Sequence, residues 1–242
     1  MREVINFIGL KLLKKLNPEV AHGIALTLIK SGLISVKLPV VDPRLKTSLA
    51  SLTLDNPIGL AAGFDKNGVA IDQLLAFGFG FVEIGAVTPQ PQKGNQKPRV
   101  FRLKQDNAII NRLGFNNDGA EKISQRLTHR RSKGVVGLNI GANKGSFDQA
   151  KDYTEVIKRC GKYVDFATIN ISSPNTQNLR SLQNQKNLEI LLSDLRKETK
   201  SFMDAKPVFL KIAPDLENFE LEKIVESALK HQISGIIATN TT

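Results

Sequence analysis

The sequence has few of the residues that build disulfide frameworks or metal centres. Its 242 residues include one cysteine, Cys160, and three scattered histidines, His22, His129 and His231. A single cysteine excludes an internal disulfide and a cysteine-based zinc site, and it is typical of a protein from a reducing compartment. The histidines lack the spacing of metal ligands. We therefore expect no metal in the functional site.

Long apolar runs are also lacking. No uninterrupted stretch reaches the roughly 20 residues that span a bilayer, and the early Glu3 with nearby lysines does not resemble a secretory signal. Hydrophobic residues make up 41% and charged residues 24% of the chain, values typical of a globular protein. The net charge of +11 is not accompanied by an arginine-rich tract with interleaved aromatics. We therefore expect a basic surface and no nucleic-acid partner.

Residues 1–45 differ in pattern from the rest of the chain. A first helix is predicted from apolar residues at helical spacing, namely Val4, Ile5, Ile8, Leu12 and Leu16. Asn17-Pro18 predicts an N-cap and a first-turn proline that open a second helix, which ends near Gly32. The apolar stripe of this second helix is Ala21, Ile24, Ala25 and Leu28. From Met1 to Lys46, eight Lys/Arg against three Asp/Glu give a net charge of +5. The pattern suits an interfacial anchor on an anionic membrane, and equally a helical cap on its own domain.

From residue 46 onward, short apolar runs alternate with helical patterns. The runs predict six strands at Pro57–Ala62, Gly80–Gly85, Val135–Ile140, Asp165–Ile171, Val208–Ile212 and Gly235–Ala238. The helical patterns include Phe147–Cys160, Asn187–Met203 and Asn218–His231. This alternation indicates a parallel sheet that is covered on both faces. Since no Gly-, Pro- or Ser-rich linker divides residues 46–242, we expect one domain.

Polar residues follow five of these strands, which decides between two α/β architectures. They are Lys66, Asn139, Asn170, Lys211 and Thr239. In a β/α barrel all strand ends converge on one site, whereas in an open sheet only those at the switch point do. No Gly-x-Gly-x-x-Gly follows a strand either. The sequence therefore predicts a (β/α)8 TIM-type barrel with a short N-terminal helical extension. Because about six of the eight units are present by Thr242, we expect an incomplete barrel, a shortened version of a longer protein.

Three segments near the strand ends combine small, apolar and amide side chains. Ala61 to Lys66 brings a glycine and a lysine to the first strand end, and Gly85 to Pro89 follows the second. Residues Ile110 to Asn117 interleave apolar and amide side chains. This composition suits a lid over a polar, planar ligand, although ordinary tight turns and an irregular surface loop would give similar segments.

The segment Asn170 to Asn175 is the strongest local signal. A strand that ends in amides and hydroxyls offers donors and acceptors without charge, which suits a uracil-like ring or a flavin. Ser173 can act as a base only where its surroundings stabilise the developing charge. Lys211 lies between apolar strand residues, so its charge needs an anionic partner. The lysine suits either a Schiff base or the stabilisation of a reduced flavin.

In combination these motifs resemble the dihydroorotate dehydrogenase family, and the resemblance runs from the N-terminal helices to Thr242. The motifs occur in order as AAGFDK, NRLGFNN, NIG, NISSPNT, KIAPD and ATNTT. Two features are similar to the class 2, quinone-using branch. Ser173 stands where class 1 enzymes carry cysteine, and Asn17 to His22 resembles the quinone-entry segment of class 2.

The resemblance implies oxidation of dihydroorotate to orotate in pyrimidine biosynthesis, with FMN as cofactor and a membrane quinone as final acceptor. Ser173 would take a proton from C5 while a hydride leaves C6, and His22 would lie at the quinone entry. The implied FMN contacts are Ala62, Gly63, Lys66, Asn139, Asn170, Lys211 and Thr239. The implied substrate contacts are Lys66, Asn111, Arg112, Leu113, Gly114, Phe115, Asn170, Asn175, Asn240 and Thr241. We further expect a monomer, peripheral on the cytoplasmic face of a bacterial inner membrane.

Two departures from the family pattern bear on the cofactor. Ala86 stands where the family usually has threonine, and the last two strands with their phosphate-binding loops are not in the sequence. Weak FMN binding is therefore expected. A non-catalytic shortened barrel and a barrel lyase that uses Lys211 as a Schiff base remain alternative functions.

Overall fold

The computed structural model describes residues 9, 11–34, 42–175 and 179–241. Three residues of the first predicted helix, Val4, Ile5 and Ile8, lie outside the described residues, as does the stretch 35–41 of the predicted N-terminal region. Residues 11–13 are helical. None of the described helices is both long enough and apolar enough to cross a bilayer.

The second predicted helix is present as α1, Pro18–Lys30. Asn17 caps it, because the Asn17 side-chain oxygen accepts the backbone N–H of Glu19 at 3.0 Å and that of Val20 at 3.4 Å. Of the predicted apolar stripe, Ala21 is buried and Ile24 is 38% exposed. The helix packs on the domain through a narrow face that includes Ala21 and Ile29.

The chain forms one six-stranded parallel sheet and two small hairpins. The hairpins pair β1 (Thr47–Leu49) with β2 (Leu52–Leu54) and β5 (Val100–Leu103) with β6 (Ala108–Asn111). The sheet contains β3 (Gly59–Leu60), β4 (Phe81–Val87), β7 (Val135–Ile140), β8 (Phe166–Asn170), β9 (Val208–Lys211) and β10 (Gly235–Ile237), in that order. These are the six predicted strands, shortened by one or two residues at some ends and, in β4, extended to Val87. Both hairpins were missed.

Helices follow the strands and cover the outer face of the sheet. They are α2 (Ile71–Ala76), α3 (Gly119–Thr128), α4 (Gln149–Cys160), α5 (Gln185–Glu198), α6 (Lys200–Ala205) and α7 (Asn218–Lys230). The predicted helical segment Asn187–Met203 is helical except at Thr199, where the chain breaks it into α5 and α6. The Thr199 hydroxyl donates to the Leu195 carbonyl at 2.6 Å while its backbone leaves the helical region.

The inner face of the sheet is filled at its amino end by phenylalanines that lie over glycines. Phe81, Phe166 and Phe209 form an edge-to-face series with centroid separations of 5.7 and 5.5 Å. A Cβ on Gly137 would stand 2.0 Å from the ring of Phe166, and one on Gly59 would stand 2.0 Å from Phe81. Glycine on one strand therefore makes the space for the ring on the next, and the opposite, carboxyl end of the sheet is left open for a site.

Candidate active site

A cavity of about 430 Å³ lies at the carboxyl ends of the parallel strands. Residues at or near the carboxyl ends of β3, β7, β8, β9 and β10 meet there, as the barrel prediction requires. The predicted residues that line it are Ala62, Gly63, Lys66, Asn111, Leu113, Gly114, Phe115, Asn139, Asn170, Ser173, Asn175, Lys211, Thr239, Asn240 and Thr241. Ala86, the departure from the family pattern, also lines it.

Two predicted site residues are not in the cavity lining. The Arg112 guanidinium turns outward, donates to the Pro98 carbonyl at 3.0 Å and lies 5.7 Å from the ring centroid of Phe101. His22 lies on α1, where its Nε2 is 2.8 Å from the Phe64 carbonyl and its ring meets that of Phe64 edge to face. His22 therefore contacts the outside of the turn whose inner side carries Gly63 and Lys66.

The turn after β3 is held by a buried carboxylate. Asp65 is fully buried and accepts the backbone N–H groups of Asn67, Val69 and Ala70 at 2.8 to 3.3 Å. Gly63 takes a φ of +108°, a conformation that L side chains rarely adopt, which also leaves the backbone bare toward the cavity. This framework places Lys66 at the cavity wall, with its ammonium donating to the Gly63 carbonyl at 3.0 Å.

The site has a positive electrostatic character that comes from two lysines. Burial lowers the pKa of Lys66 to about 8, helped by the charges of Arg99 and Lys211 and opposed by Glu19. Lys211 at the end of β9 is 9% exposed. Because neither a carboxylate nor a histidine lines the described part of the cavity, the two ammonium groups favour an anionic ligand.

Ser173 lies in the same cavity on the loop that follows β8. The residue is 6% exposed, and its Oγ accepts the backbone N–H of Asn175 at 3.3 Å. Asn175 is held in turn, because its carbonyl accepts from the Asn95 side chain at 3.2 Å. The hydroxyl proton of Ser173 is not used in these contacts. The serine is thus placed with an oriented lone pair and little access to water.

Sequence reasoning missed two buried charged residues behind the cavity. Glu83, 4% exposed on β4, accepts the Asn139 side-chain amide at 2.9 Å. Arg99, 5% exposed, donates to Glu19 of α1 at 2.6 Å and to the carbonyls of Lys93 and Asn95. A lone carboxylate within the otherwise apolar run FVEIGAV was the available signal for Glu83. Arg99 had no such signal, since its partner lies 80 residues earlier in the chain.

Comparison with known proteins identifies the relatives of this chain. The family model described as "Dihydroorotate dehydrogenase" matches residues 44–242. The chain is 51% identical over 240 residues to the dihydroorotate dehydrogenase (quinone) of Cereibacter sphaeroides, covering 99% of this chain and 68% of that protein. It is 46% identical over 246 residues to the enzyme of that name from Agrobacterium fabrum, covering 100% and 68%.

A solved structure shows the same fold. The dihydroorotate dehydrogenase of Eimeria tenella in complex with ferulenol superimposes with a TM-score of 0.87 at 39% identity, over 93% of this chain and 67% of that one. The predicted α/β, TIM-type fold is confirmed, with the six-stranded curled sheet corresponding to part of the barrel. The chain spans about two thirds of the length of these relatives.

Proposed function

Because this chain belongs to the dihydroorotate dehydrogenase family, we propose that it oxidises (S)-dihydroorotate to orotate in pyrimidine biosynthesis, with FMN and then a membrane quinone as electron acceptors. The observation that carries the proposal is the convergence of Ser173, Lys66, Lys211 and a set of amides on one cavity at the strand ends. A buried hydroxyl beside two ammonium groups suits proton removal from an anionic, planar substrate.

The cavity fits the ring system of FMN by the chemistry of its walls. Asn139 and Asn170 each donate one side-chain N–H to another protein group, and the second N–H of each can donate to a ligand. Lys211 is a further donor in the cavity lining. Gly63, with its positive φ and no side chain, allows a flat ligand close to the backbone. We propose that these residues, with Ala62 and Thr239, hold the ring. We assign no described residue to the phosphate.

In the proposed reaction the Ser173 hydroxyl passes its own proton to solvent in the cavity as its oxygen takes the proton from C5 of dihydroorotate. The Asn175 N–H, at 3.3 Å from the Ser173 Oγ, donates to the oxygen on which negative charge develops. FMN, when bound, supplies the acceptor for the hydride that leaves C6. Lys66 would bind the substrate carboxylate, and the amides of Asn111 and Asn175 would orient the pyrimidine ring. Pairing with a carboxylate would raise the pKa of Lys66 again, which burial lowers to about 8 in the free site.

A spectroscopic experiment tests the proposal. The full chain, purified with FMN, should be yellow and should bleach when dihydroorotate is added without oxygen. Ser173→Ala should retain the bound-flavin spectrum but reduce flavin about 10²- to 10⁴-fold more slowly, the usual contribution of a general base. Ser201→Ala, at an exposed position on α6, is the matched control. An unchanged reduction rate in Ser173→Ala would contradict the assignment.

We propose that residues 1–45 form the membrane and quinone-entry region and that 46–242 form the FMN-binding barrel. The described part of the first region supports this, because Leu12, Leu16, Val20 and Leu33 are 42 to 76% exposed. Exposed apolar residues next to Lys14 and Lys15 suit the interface of an anionic bilayer, such as the cytoplasmic face of a bacterial inner membrane. His22 would then line the path of the quinone.

Deletion of residues 1–40 should separate the two half-reactions, which are the reduction of the flavin by dihydroorotate and its reoxidation by the quinone. The shortened protein should leave the membrane fraction and lose quinone turnover, while its reduction by dihydroorotate persists. Lys14→Glu with Lys15→Glu should weaken binding to anionic vesicles at low salt, by about 1 kcal/mol for each lysine removed. Membrane binding that survives the deletion would refute the anchor.

The Schiff-base alternative has less support from the cavity. A lysine that forms and hydrolyses a Schiff base needs an acid or base beside it, and the described cavity lining contains no carboxylate and no histidine. Borohydride trapping of a carbonyl substrate on Lys211 in flavin-free protein would support that reaction instead.

A further inference from the structure

A continuous series of hydrogen bonds runs behind the cavity across four neighbouring segments. The Ala62 N–H donates to one Glu83 oxygen at 3.2 Å, and the Asn139 amide donates to the other at 2.9 Å. The Asn170 amide donates to the Asn139 oxygen at 2.8 Å. The Asn170 oxygen accepts the backbone N–H of Ser172 at 3.2 Å and its hydroxyl at 3.0 Å.

The two ends of this series fix which group donates and which accepts in every hydrogen bond between them. Both ends are backbone N–H groups, which can only donate. Because Ser172 donates, Asn170 must turn its oxygen toward Ser172 and its nitrogen toward Asn139. Asn139 must then turn its oxygen toward Asn170 and its nitrogen toward residue 83. Residue 83 must therefore accept on both sides, from Asn139 and from Ala62.

The side chain of a glutamate meets that requirement, because both of its oxygens can accept. A glutamine has one oxygen and one nitrogen, so one of its two contacts would set donor against donor in a buried place. Glu83 is 4% exposed and Asn139 is fully buried. Water is therefore poorly placed to relieve the conflict, and a buried donor without an acceptor is destabilising.

We propose that Glu83 is a positioning residue that locks the side-chain amides of Asn139 and Asn170 with their oxygens in the network and one N–H of each available to the cavity. The site would thus recognise the acceptor edge of a planar heterocycle, meaning its carbonyl oxygens and unprotonated ring nitrogens. The hydrogen-bond network stands on the structure alone. That the heterocycle is FMN or a pyrimidine rests on the proposed function.

Glu83→Gln tests the network without any ligand. We expect the Tm of the full chain to fall by about 5 °C, as one unsatisfied buried donor would cause in a domain of this size. The side-chain amide signals of Asn139 and Asn170, assigned by their loss in Asn139→Asp and Asn170→Asp, should exchange with water at least tenfold faster. Thr168→Val is the matched control, since Thr168 is a fully buried strand residue outside the network.

A double variant, Glu83→Gln with Asn139→Asp, tests whether the unmatched donor is the cause of the lost stability. The Ala62 N–H then donates to the side-chain oxygen of the introduced glutamine, whose nitrogen donates to the introduced aspartate. The aspartate also accepts from Asn170. Every contact is satisfied again, with the carboxylate moved by one position and the net charge unchanged. The double variant should recover most of the lost Tm. If Glu83→Gln fails to fold, the double variant should fold.

Titration with FMN separates the positioning role from stability. The single variant should bind FMN at least tenfold more weakly than the wild type. The double variant should remain weak despite its recovered Tm, because the aspartate introduced at position 139 offers the ligand an acceptor in place of a donor. Thr168→Val should bind FMN as the wild type does.

The outcomes distinguish this inference from the proposed function. A wild-type Tm and unchanged amide exchange in Glu83→Gln, or a double variant no more stable than the single one, would overturn the inference. Stable variants with undiminished FMN affinity would overturn the positioning role. A wild-type chain that binds no FMN would count against the proposed function, while the Tm and exchange measurements would still decide whether Glu83 orders the amides.

Discussion

The two ends of the parallel sheet are built from alternate residues of the same strands but from opposite kinds of side chain. At the amino end, Phe81, Phe166 and Phe209 fill the inside with rings. One or two alternate positions further along, β4, β8 and β9 carry Glu83, Asn170 and Lys211. Since side chains two apart share a face of a strand, a single inner face changes from apolar to polar within about 7 to 13 Å.

This difference shows how the molecule separates stability from chemistry. The rings are packed against glycines and gain free energy from burial, whereas the polar groups lose hydration and recover it only through hydrogen bonds to each other. A change at the amino end should therefore affect unfolding alone, whereas a change at the carboxyl end should affect ligand binding as well. Five predictions test that division, from the largest expected effect to the smallest.

Phe166→Ala should produce the largest change in stability. Phe166 is 3% exposed and lies between Phe81 and Phe209, so its removal should lower the free energy of unfolding by about 3–5 kcal/mol. Urea denaturation measures this loss. Phe147→Ala is the control, because Phe147 is fully exposed and should change stability by less than about 0.5 kcal/mol. Equal losses of stability in both variants would show that the buried rings at the amino end contribute no more to stability than an exposed ring.

Glu19→Gln should weaken the attachment of α1 to the domain. It would leave the buried Arg99 guanidinium without its charged partner, at a cost of about 2 kcal/mol for a pair that is only partly screened. Glu198→Gln is the control, since its pair with Lys158 is about half exposed on both sides and should contribute little to stability.

The same Glu19 pair has a pH signature. The hydrogen bond from Arg99 lowers the pKa of Glu19 below its ordinary value near 4.5, against the opposing effect of burial. Its stabilisation is therefore complete above that value and is lost as the pH falls through the lower pKa of the folded state. Glu19→Gln should remove this component from the acid unfolding profile, and an unchanged profile would contradict the pairing.

Binding of orotate should depend on the charge of Lys66. The pKa of Lys66 is about 8 in the free site, and its ammonium is proposed to bind the ligand carboxylate. Affinity should be constant below that pH and fall about tenfold per pH unit above it, which is about 1.4 kcal/mol per unit. Isothermal titration at several pH values measures the slope. Lys66→Arg should give a flat profile, and a sloping one would show that another group titrates.

Thr168→Val should have the smallest effect. Of the described residues, Thr168 is one whose buried hydroxyl has no hydrogen-bond partner, so an isosteric methyl should keep stability within about 0.5 kcal/mol or raise it. Thr154→Val is the comparison, because the Thr154 hydroxyl donates to the Lys151 carbonyl at 2.8 Å and its loss should cost about 1 kcal/mol. A large loss in Thr168→Val would show that the Thr168 hydroxyl makes a stabilising hydrogen bond, contrary to the premise of the prediction.

Local patterns predicted the parallel strands well and the short elements poorly. Val135–Ile140 was predicted to the residue, because a strand that is buried on both faces reads as a short, nearly continuous apolar run. The hairpin Val100–Leu103 with Ala108–Asn111 was missed, since most of it is exposed and carries no strict alternation. The break at Thr199 was missed because both halves of the segment keep helical spacing.

For the site, the sequence predicted the residues at strand ends but not those that hold them. Asn139, Asn170 and Lys211 follow apolar runs and could be placed on one rim by the barrel rule alone. Glu83 and Arg99 act on groups 56 and 80 residues away, so nothing in their own neighbourhoods indicates their partners. Arg112 stands within a site motif, yet its side chain turns to Pro98 instead.

The sequence by itself determined the class of fold, the order of the six strands and the rim residues, because each follows from the periodicity of one short segment or from a motif contiguous in the chain. Only the tertiary structure decided which side chains enter the cavity, which way the amides of Asn139 and Asn170 turn, and how α1 is attached through Glu19. These features depend on donors and acceptors supplied by distant segments, and hydrogen bonds of that kind exist only once the strands lie side by side.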